Sequence, residues 1–115
     1  MTRVAVNGAT GRMGETVIGT AADREDLTAV VGFDVEAGEA GGVPVVADDV
    51  AGALDEHDVD VVVDFSVPDS TLPLAEACVE TNTALVVGTT GFDDGELAEL
   101  DAASESVPLL KATNF

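Results

Sequence analysis

Three glycines, Gly8, Gly11 and Gly14, follow a short apolar run at residues 2–7 and open a stretch with helical spacing. Glycine at these positions permits a tight turn between a strand and a helix, and it lets a phosphate approach the backbone N–H groups closely. The positive end of the helix dipole favours the same anionic ligand. The sequence therefore predicts a strand–turn–helix unit that binds the pyrophosphate of a dinucleotide.

The rest of the chain alternates apolar, β-branched runs with segments of helical periodicity, which is typical of a parallel α/β sheet. We predict one Rossmann-like three-layer α/β/α domain of the α/β class, with a mainly parallel sheet, over residues 1–115. The strands are expected at residues 2–7, 27–33, 43–46, 59–65, 84–87 and 107–110. The helices are expected at residues 11–23, 50–54, 68–80 and 93–103, and residues 34–42 are expected to form a loop.

The charge balance excludes several classes of partner. Lys and Arg total 4 and Asp and Glu total 23, which gives a net charge of −19. A chain without a basic surface is not expected to bind nucleic acid, and it is not expected to bind an anionic membrane. Because 46% of the residues are hydrophobic, the chain is predicted to fold in spite of its charge. Dense carboxylates around such a core are typical of a halophilic protein, which low salt would destabilise.

The cysteine content and the hydropathy of the sequence indicate in which cellular compartment the protein is expected. A single cysteine, Cys78, excludes an internal disulfide and suits a reducing, cytoplasmic environment. The sequence contains no apolar run long enough for a transmembrane helix, and its start does not resemble a signal peptide.

Asp34 follows the second predicted strand, 20 residues after Gly14. A carboxylate there can accept hydrogen bonds from the adenosine ribose hydroxyls, and it would repel a 2′-phosphate. The loop that follows has no Lys or Arg, so Arg12 in the glycine turn is the one candidate for binding a 2′-phosphate. These residues favour NADH, with NADPH possible. The alternative is that Asp34 is one surface acid among many.

Two further segments follow predicted strands at the same edge of the sheet. Gly88, Thr89 and Thr90 can offer hydroxyl and backbone groups to a ribose or to the nicotinamide amide. Residues 112–115 follow the last strand, so Asn114 and Phe115 are placed to face the nicotinamide.

Other candidate residues have more ordinary interpretations. His57 is expected at the surface and Cys78 in the core. Asp64 and Asp69 flank a strand end and invite comparison with an acid–base pair, yet Asp69 fits better as a first-turn acid of a helix. No spacing of acidic residues, His57 or Cys78 defines a metal site, and we assign no catalytic residue within the chain.

Taken together, the motifs resemble one family. The Gly8–Gly14 turn with Arg12 and Met13, the Asp64-Phe65-Ser66-x-Pro68 segment, Val87-Gly88-Thr89-Thr90-Gly91-Phe92 and the final Ala112-Thr113-Asn114-Phe115 occur in order. They resemble the N-terminal cofactor domain of the 4-hydroxy-tetrahydrodipicolinate reductases, also called dihydrodipicolinate reductases, over essentially the whole chain.

The resemblance implies a role for each matching residue. The pyrophosphate would be bound by Gly8, Ala9, Thr10, Gly11, Arg12 and Met13. Asp34 would bind the adenosine ribose. The nicotinamide half would be contacted by Gly88, Thr89 and Thr90, and closed over by Ala112, Thr113, Asn114 and Phe115. Many family members have Arg directly after the ribose acid, where this chain has Val35, which again favours NADH.

The resemblance also implies a second, C-terminal domain that binds the small-molecule substrate, carries a His-His pair and a Lys, and forms a homotetramer. None of these residues is in the chain, so the fragment alone is expected to be inactive. The full protein would be an NAD(P)H-dependent oxidoreductase of the diaminopimelate route to lysine. Alternatives are the front half of another Gly-Ala-Thr-Gly dehydrogenase, such as a semialdehyde dehydrogenase or an atypical short-chain reductase, or a stand-alone nucleotide-binding or redox-sensing module.

Overall fold

The computed structural model describes residues 1–112. Within them the seven strands are β1 (Thr2–Asn7), β2 (Leu27–Phe33), β3 (Gly38–Ala40), β4 (Val43–Val46), β5 (Val61–Asp64), β6 (Ala84–Val87) and β7 (Leu109–Lys111). The four helices are α1 (Arg12–Ala22), α2 (Val50–Glu56), α3 (Pro68–Thr81) and α4 (Asp94–Ala103). In residues 1–112 no helix is long and apolar enough to cross a membrane.

The strands form one sheet in the order β3-β4-β2-β1-β5-β6-β7. Every neighbouring pair is parallel except β3 with β4, which confirms the predicted mainly parallel sheet. Without the antiparallel edge strand β3, this is the doubly wound order in which the chain crosses from one side of β1 to the other. That crossing creates a switch point between β1 and β5, where ligands of such sheets bind.

Helices cover the two faces of the sheet unequally. The helices α2, α3 and α4 pack on one face, where the core includes Leu54, Leu74, Leu85 and Leu100. On the other face α1 contributes Ile18 to a smaller, valine-rich core over β1, β2 and β4. The three layers are those of the predicted Rossmann-like domain, with a single helix forming one of the outer layers.

The predicted loop at residues 34–42 contains a strand that sequence reasoning missed. The strand β3 pairs with β4 through a two-residue turn, Gly41-Gly42, whose φ angles are +57° and +82°. Positive φ at both central residues is the geometry of a tight hairpin turn. The adjacent glycines were a usable signal, but the low β-propensity of Gly38 and Glu39 concealed the strand.

Two strand boundaries also differ from the prediction. The strand β5 covers Val61–Asp64 rather than residues 59–65, and its residues alternate between half-buried and buried. The last strand is Leu109–Lys111 rather than residues 107–110. Strand ends are set by which backbone groups find partners on neighbouring strands, which an apolar run does not reveal.

Candidate functional site

A cleft of about 520 Å³ opens at the carboxyl ends of β1, β2, β4 and β5, at the switch point of the sheet. It lies between the glycine turn and the start of α3. Its walls are formed by Asn7, Gly8, Thr10, Gly11, Phe33, Asp34, Val35, Val46, Ala47, Val50, Phe65, Ser66, Val67 and Ser70. Four of the residues expected to bind a cofactor, Gly8, Thr10, Gly11 and Asp34, are therefore brought together on one cleft.

The glycine turn is required by packing as well as by any ligand. Gly8 has φ of +80°, and a Cβ on it would lie 2.2 Å from the carbonyl oxygen of Phe65. A Cβ on Gly14 would lie 2.0 Å from the carbonyl oxygen of Gly8. By contrast, Gly11 would place its Cβ no closer than 3.4 Å to that oxygen. Two of the three glycines thus hold β1, α1 and the loop after β5 together.

Helix α1 begins at Arg12 with Gly11 as its N-cap and no side-chain cap. Among residues 1–112, the backbone N–H groups of Arg12 and Met13 donate no hydrogen bond. Uncapped first-turn N–H groups and the helix dipole suit an anion such as pyrophosphate. Both side chains are exposed outside the cleft walls, and Ala9 is fully buried beneath the turn.

Arg12 differs from the other cationic residues of the chain. Arg3 donates from Nε to the His57 carbonyl oxygen, Arg24 pairs with Asp26, and Lys111 pairs with Asp101. Within residues 1–112 the guanidinium of Arg12 forms neither an ion pair nor a hydrogen bond, whereas Arg3 lacks only the ion pair. A positive charge without a partner among these residues therefore lies beside the glycine turn.

Asp34 stands at the end of β2 on the cleft wall. Its Oδ2 accepts hydrogen bonds from the N–H and the hydroxyl of Thr10 at 3.0 and 2.7 Å, and its Oδ1 accepts from the N–H of Val35 at 2.8 Å. Desolvation at the wall raises the pKa of Asp34, but these hydrogen bonds outweigh it and leave the pKa below the usual value. The side chain of Val35 is 90% exposed beside it. The acid is thus held ionised at the mouth of the cleft.

A second carboxylate, Asp64 at the end of β5, is fully buried. It accepts hydrogen bonds from Asn7 Nδ2 at 2.9 Å, Ser66 Oγ at 2.6 Å, Thr71 Oγ1 at 2.5 Å and Thr89 Oγ1 at 2.8 Å. Four donors use about all the acceptor sites of a carboxylate. Because Asp64 is enclosed in this way and Asp69 is exposed in the first turn of α3, the two acids do not form an acid–base pair.

The segment expected to contact nicotinamide lies next to the cleft rather than in its walls. The Thr89 side chain is 4% exposed, and its hydroxyl donates to Asp64 while accepting from the N–H of Ser66 at 2.8 Å. Its hydroxyl is therefore already used, which leaves its backbone for any ligand contact. Thr90 is exposed and Gly88 is half-buried.

The last expected contacts are mostly beyond what the structure describes. The N–H of Ala112 donates to the carbonyl oxygen of Val87 at 2.8 Å and extends the pairing of β7 with β6. Thr113, Asn114 and Phe115 lie outside the described residues.

Sequence reasoning missed three polar residues of the cleft, Asn7, Ser66 and Ser70. Their signal was position: Asn7 ends β1, and the other two flank the start of α3. A polar residue at the end of an otherwise apolar, buried strand is a usable indication of a site in a sheet of this kind.

Of the remaining candidates, Cys78 lies where the sequence predicts it, and His57 is less exposed than predicted. Cys78 is fully buried in the core, and His57 is half-buried at the C-terminal end of α2. In residues 1–112, no group of His, Cys, Asp and Glu is arranged to bind a metal ion.

Comparison with known proteins identifies relatives over the whole chain. Residues 2–115 match the family described as "Dihydrodipicolinate reductase, N-terminus". A 4-hydroxy-tetrahydrodipicolinate reductase of Haloarcula marismortui is 59% identical over 100% of this chain and 46% of its own length. One of Alkalilimnicola ehrlichii is 42% identical over 99% of this chain and 46% of its own length.

A solved structure gives the same result. Dipicolinate-bound dihydrodipicolinate reductase from Paenisporosarcina sp. TG-14 superposes with a TM-score of 0.83 at 25% identity, covering 99% of this chain and 48% of that one. The chain therefore spans about half the length of the relatives that it matches.

Proposed function

The chain belongs to the dihydrodipicolinate reductase N-terminal family, and on that premise we propose that it is the NAD(P)H-binding part of a 4-hydroxy-tetrahydrodipicolinate reductase. The observation that carries the proposal is the cleft at the switch point, which joins the glycine turn to Asp34. The family match supports NAD(P)H as the ligand of this cleft, which the geometry alone does not identify.

The residues present fit a dinucleotide. Gly8 leaves no side chain between the turn and the loop after β5, and the uncapped N–H groups at the start of α1 can donate to a pyrophosphate. Arg12 can offset part of the negative charge of the surrounding surface. The carboxylate of Asp34 can accept from a ribose hydroxyl, since its Oδ1 accepts only from the N–H of Val35 and has a lone pair left. Gly88, Thr89 and Thr90 are proposed for the nicotinamide half, together with residues 112–115.

We propose NADH as the preferred cofactor, with NADPH also bound. An ionised carboxylate at Asp34 repels a 2′-phosphate, and the exposed Val35 next to it offers no positive charge. Arg12 is the remaining cation near the cleft mouth, and it is better placed for the pyrophosphate at its own helix turn.

In the whole enzyme we propose that residues 1–115 bind and orient the cofactor and that a second domain binds the substrate and forms a homotetramer. When bound, the cofactor supplies a hydride from C4 of its dihydronicotinamide, and protonation of the cyclic substrate follows. No catalytic residue is assigned to this chain, so it is expected to bind cofactor without reducing substrate. A cytoplasmic location in a salt-rich cell, without a nucleic-acid partner, agrees with the free thiol and the net charge of −19.

The test is a paired calorimetric titration of the chain with NADH and NADPH in molar KCl, with Asp34→Ala as the variant. We expect NADH to bind more tightly, and the variant to lose about tenfold or more of that affinity, because a hydrogen bond to a charged group is removed. Ser104→Ala is the matched control, since its hydroxyl bonds the Asp101 carbonyl far from the cleft.

Each other outcome has a definite meaning. Tighter binding of NADPH would overturn the preference and would assign the 2′-phosphate to Arg12. If a folded chain bound neither nucleotide, the proposed cofactor role of the isolated chain would be wrong.

A further inference from the structure

The amide of Asn7 at the end of β1 has only one orientation that the buried network permits. Its Nδ2 lies 2.9 Å from Asp64 Oδ1, 3.1 Å from Ser66 Oγ and 3.0 Å from Ser70 Oγ. If the amide were flipped, its carbonyl oxygen would face the Asp64 carboxylate, and two acceptors would meet without a proton between them. Asp64 therefore fixes the NH₂ group of Asn7 inward.

The same orientation points the other end of the amide away from the network. Asn7 is 4% exposed and lines the cleft, and among residues 1–112 no group donates to its Oδ1. Every fully buried side-chain nitrogen or oxygen of the described chain has a hydrogen-bond partner, so this oxygen must be in contact with solvent in the cleft. It is an acceptor on an otherwise buried side chain.

A possible donor lines the same cleft. Ser70 Oγ accepts from Asn7 Nδ2, and within residues 1–112 the Ser70 hydroxyl donates no hydrogen bond. Asn7 and Ser70 both line the cleft, so its wall presents one acceptor and one donor, and a ligand hydroxyl can donate to the first while accepting from the second.

We infer that Asn7 Oδ1, oriented by the buried carboxylate of Asp64, accepts a hydrogen bond from a ribose hydroxyl of the bound dinucleotide, with Ser70 as the adjoining donor. Asn7 is a binding residue in this scheme and Asp64 a positioning residue that acts through it. The inference rests on the proposed function. It specifies a ribose rather than the nicotinamide amide, because Gly88, Thr89 and Thr90 lie outside the walls of this cleft.

The test compares NADH, ADP-ribose and AMP as calorimetric ligands of the chain and its Asn7→Leu variant in molar KCl. Leucine keeps the size of the side chain but removes the acceptor. We expect the affinity for NADH and ADP-ribose to fall between about threefold and about tenfold, the effect of one hydrogen bond. A similar loss with AMP assigns the adenosine ribose, and unchanged AMP binding assigns the second ribose.

Two more variants separate positioning from general damage. Asp64→Asn should weaken NADH binding about as much as Asn7→Leu, and the double variant should be no weaker than either, because both changes remove one oriented acceptor. Ser70→Ala, on the partly exposed start of α3, should cost about threefold without disturbing Asp64. Thr81→Val is the control: it loses a hydroxyl bonded to Ala77 and Thr83 at the far end of α3 and should leave affinity unchanged.

Several results would overturn the inference. The first is a folded Asn7→Leu variant that binds NADH as tightly as the original chain. The second is a double variant whose loss of NADH affinity equals the sum of the losses for Asp64→Asn and Asn7→Leu. The third is an Asn7→Leu variant that loses affinity for NADH but not for ADP-ribose. If the unaltered chain binds none of the three ligands, it is the proposed cofactor role that fails.

Discussion

Thr10 donates two hydrogen bonds to one oxygen of Asp34, from its N–H at 3.0 Å and from its hydroxyl at 2.7 Å. The residues lie 24 positions apart, Thr10 in the glycine turn and Asp34 at the end of β2. The turn proposed for the pyrophosphate and the acid proposed for the ribose are therefore joined before any ligand binds. Such preorganisation reduces the entropy that binding must overcome.

Replacing Thr10 by valine should raise the pKa of Asp34 toward its ordinary value, because the hydroxyl is the largest of the interactions that lower it. A lowered pKa means that these bonds stabilise the fold above the pKa of the unfolded carboxyl and that this stability is lost as pH falls through the folded-state pKa. Carbon NMR of the labelled Asp34 carboxyl measures the change directly. Thr16→Val, which removes an exposed hydroxyl bonded to the Arg12 carbonyl, is the control; an equal shift in both variants would contradict the assignment.

Val35→Arg should shift the cofactor preference toward NADPH. The position is 90% exposed and directly follows Asp34, so a guanidinium there can reach a 2′-phosphate. We expect a gain of about tenfold in NADPH affinity, or ~1.4 kcal/mol, measured by calorimetry. Leu110→Arg makes the same change of charge at a 61% exposed site outside the cleft, and a similar gain there would show that only net charge matters.

Two glycines of α1 should respond to alanine in opposite ways. A Cβ on Gly14 would lie 2.0 Å from the carbonyl oxygen of Gly8, whereas one on Gly19 would meet nothing within 4 Å. Gly14→Ala should therefore cost about 1–3 kcal/mol of stability through overpacking, and Gly19→Ala should add about 0.5–1 kcal/mol through helix propensity. Urea denaturation measures both, and equal signs for the two variants would refute the packing role of Gly14.

The Cys78 thiol should report on unfolding. Burial, with a smaller contribution from the charge of Asp64, raises its pKa to about 12, so the folded chain should resist thiol-specific labelling that needs thiolate. The unfolded thiol ionises at lower pH than the folded one, so stability should fall as pH rises through the unfolded pKa toward the folded value. Cys78→Ala should lose that part of the alkaline dependence; rapid labelling under stable conditions would contradict the assignment.

Salt should stabilise both the fold and its complex. Lowering KCl from about 1 M to about 0.1 M lengthens the screening distance from about 3 Å to about 10 Å, which increases repulsion among carboxylates of a chain with net charge −19. We expect the thermal midpoint, followed by circular dichroism, to fall. NADH affinity should fall with it, since the ligand is also an anion. A midpoint independent of KCl would exclude the halophilic interpretation.

Most of the sheet could be predicted because the runs ending at Asn7, Phe33 and Val87 are apolar, β-branched and bounded by turn residues. The strand β3 could not, since its pairing depends on a hairpin partner rather than on its own composition. The grouping of the glycine turn with Asp34 on one cleft could be predicted, because motif spacing places both at the ends of neighbouring strands. The amide orientation of Asn7 was not, because it depends on Asp64, 57 positions away, and no local pattern describes that contact.

Phe65 connects the two ends of the site. A Cβ on Gly8 would meet its carbonyl oxygen at 2.2 Å, and a Cβ on Gly88 would meet its ring at 2.3 Å. Gly8 is thus constrained by the backbone of residue 65 and Gly88 by the aromatic ring, whatever ligand is bound. The two constraints differ in kind: a smaller side chain in place of Phe65 would leave room for a side chain at residue 88, whereas residue 8 would stay restricted to glycine by the carbonyl oxygen and by its positive φ.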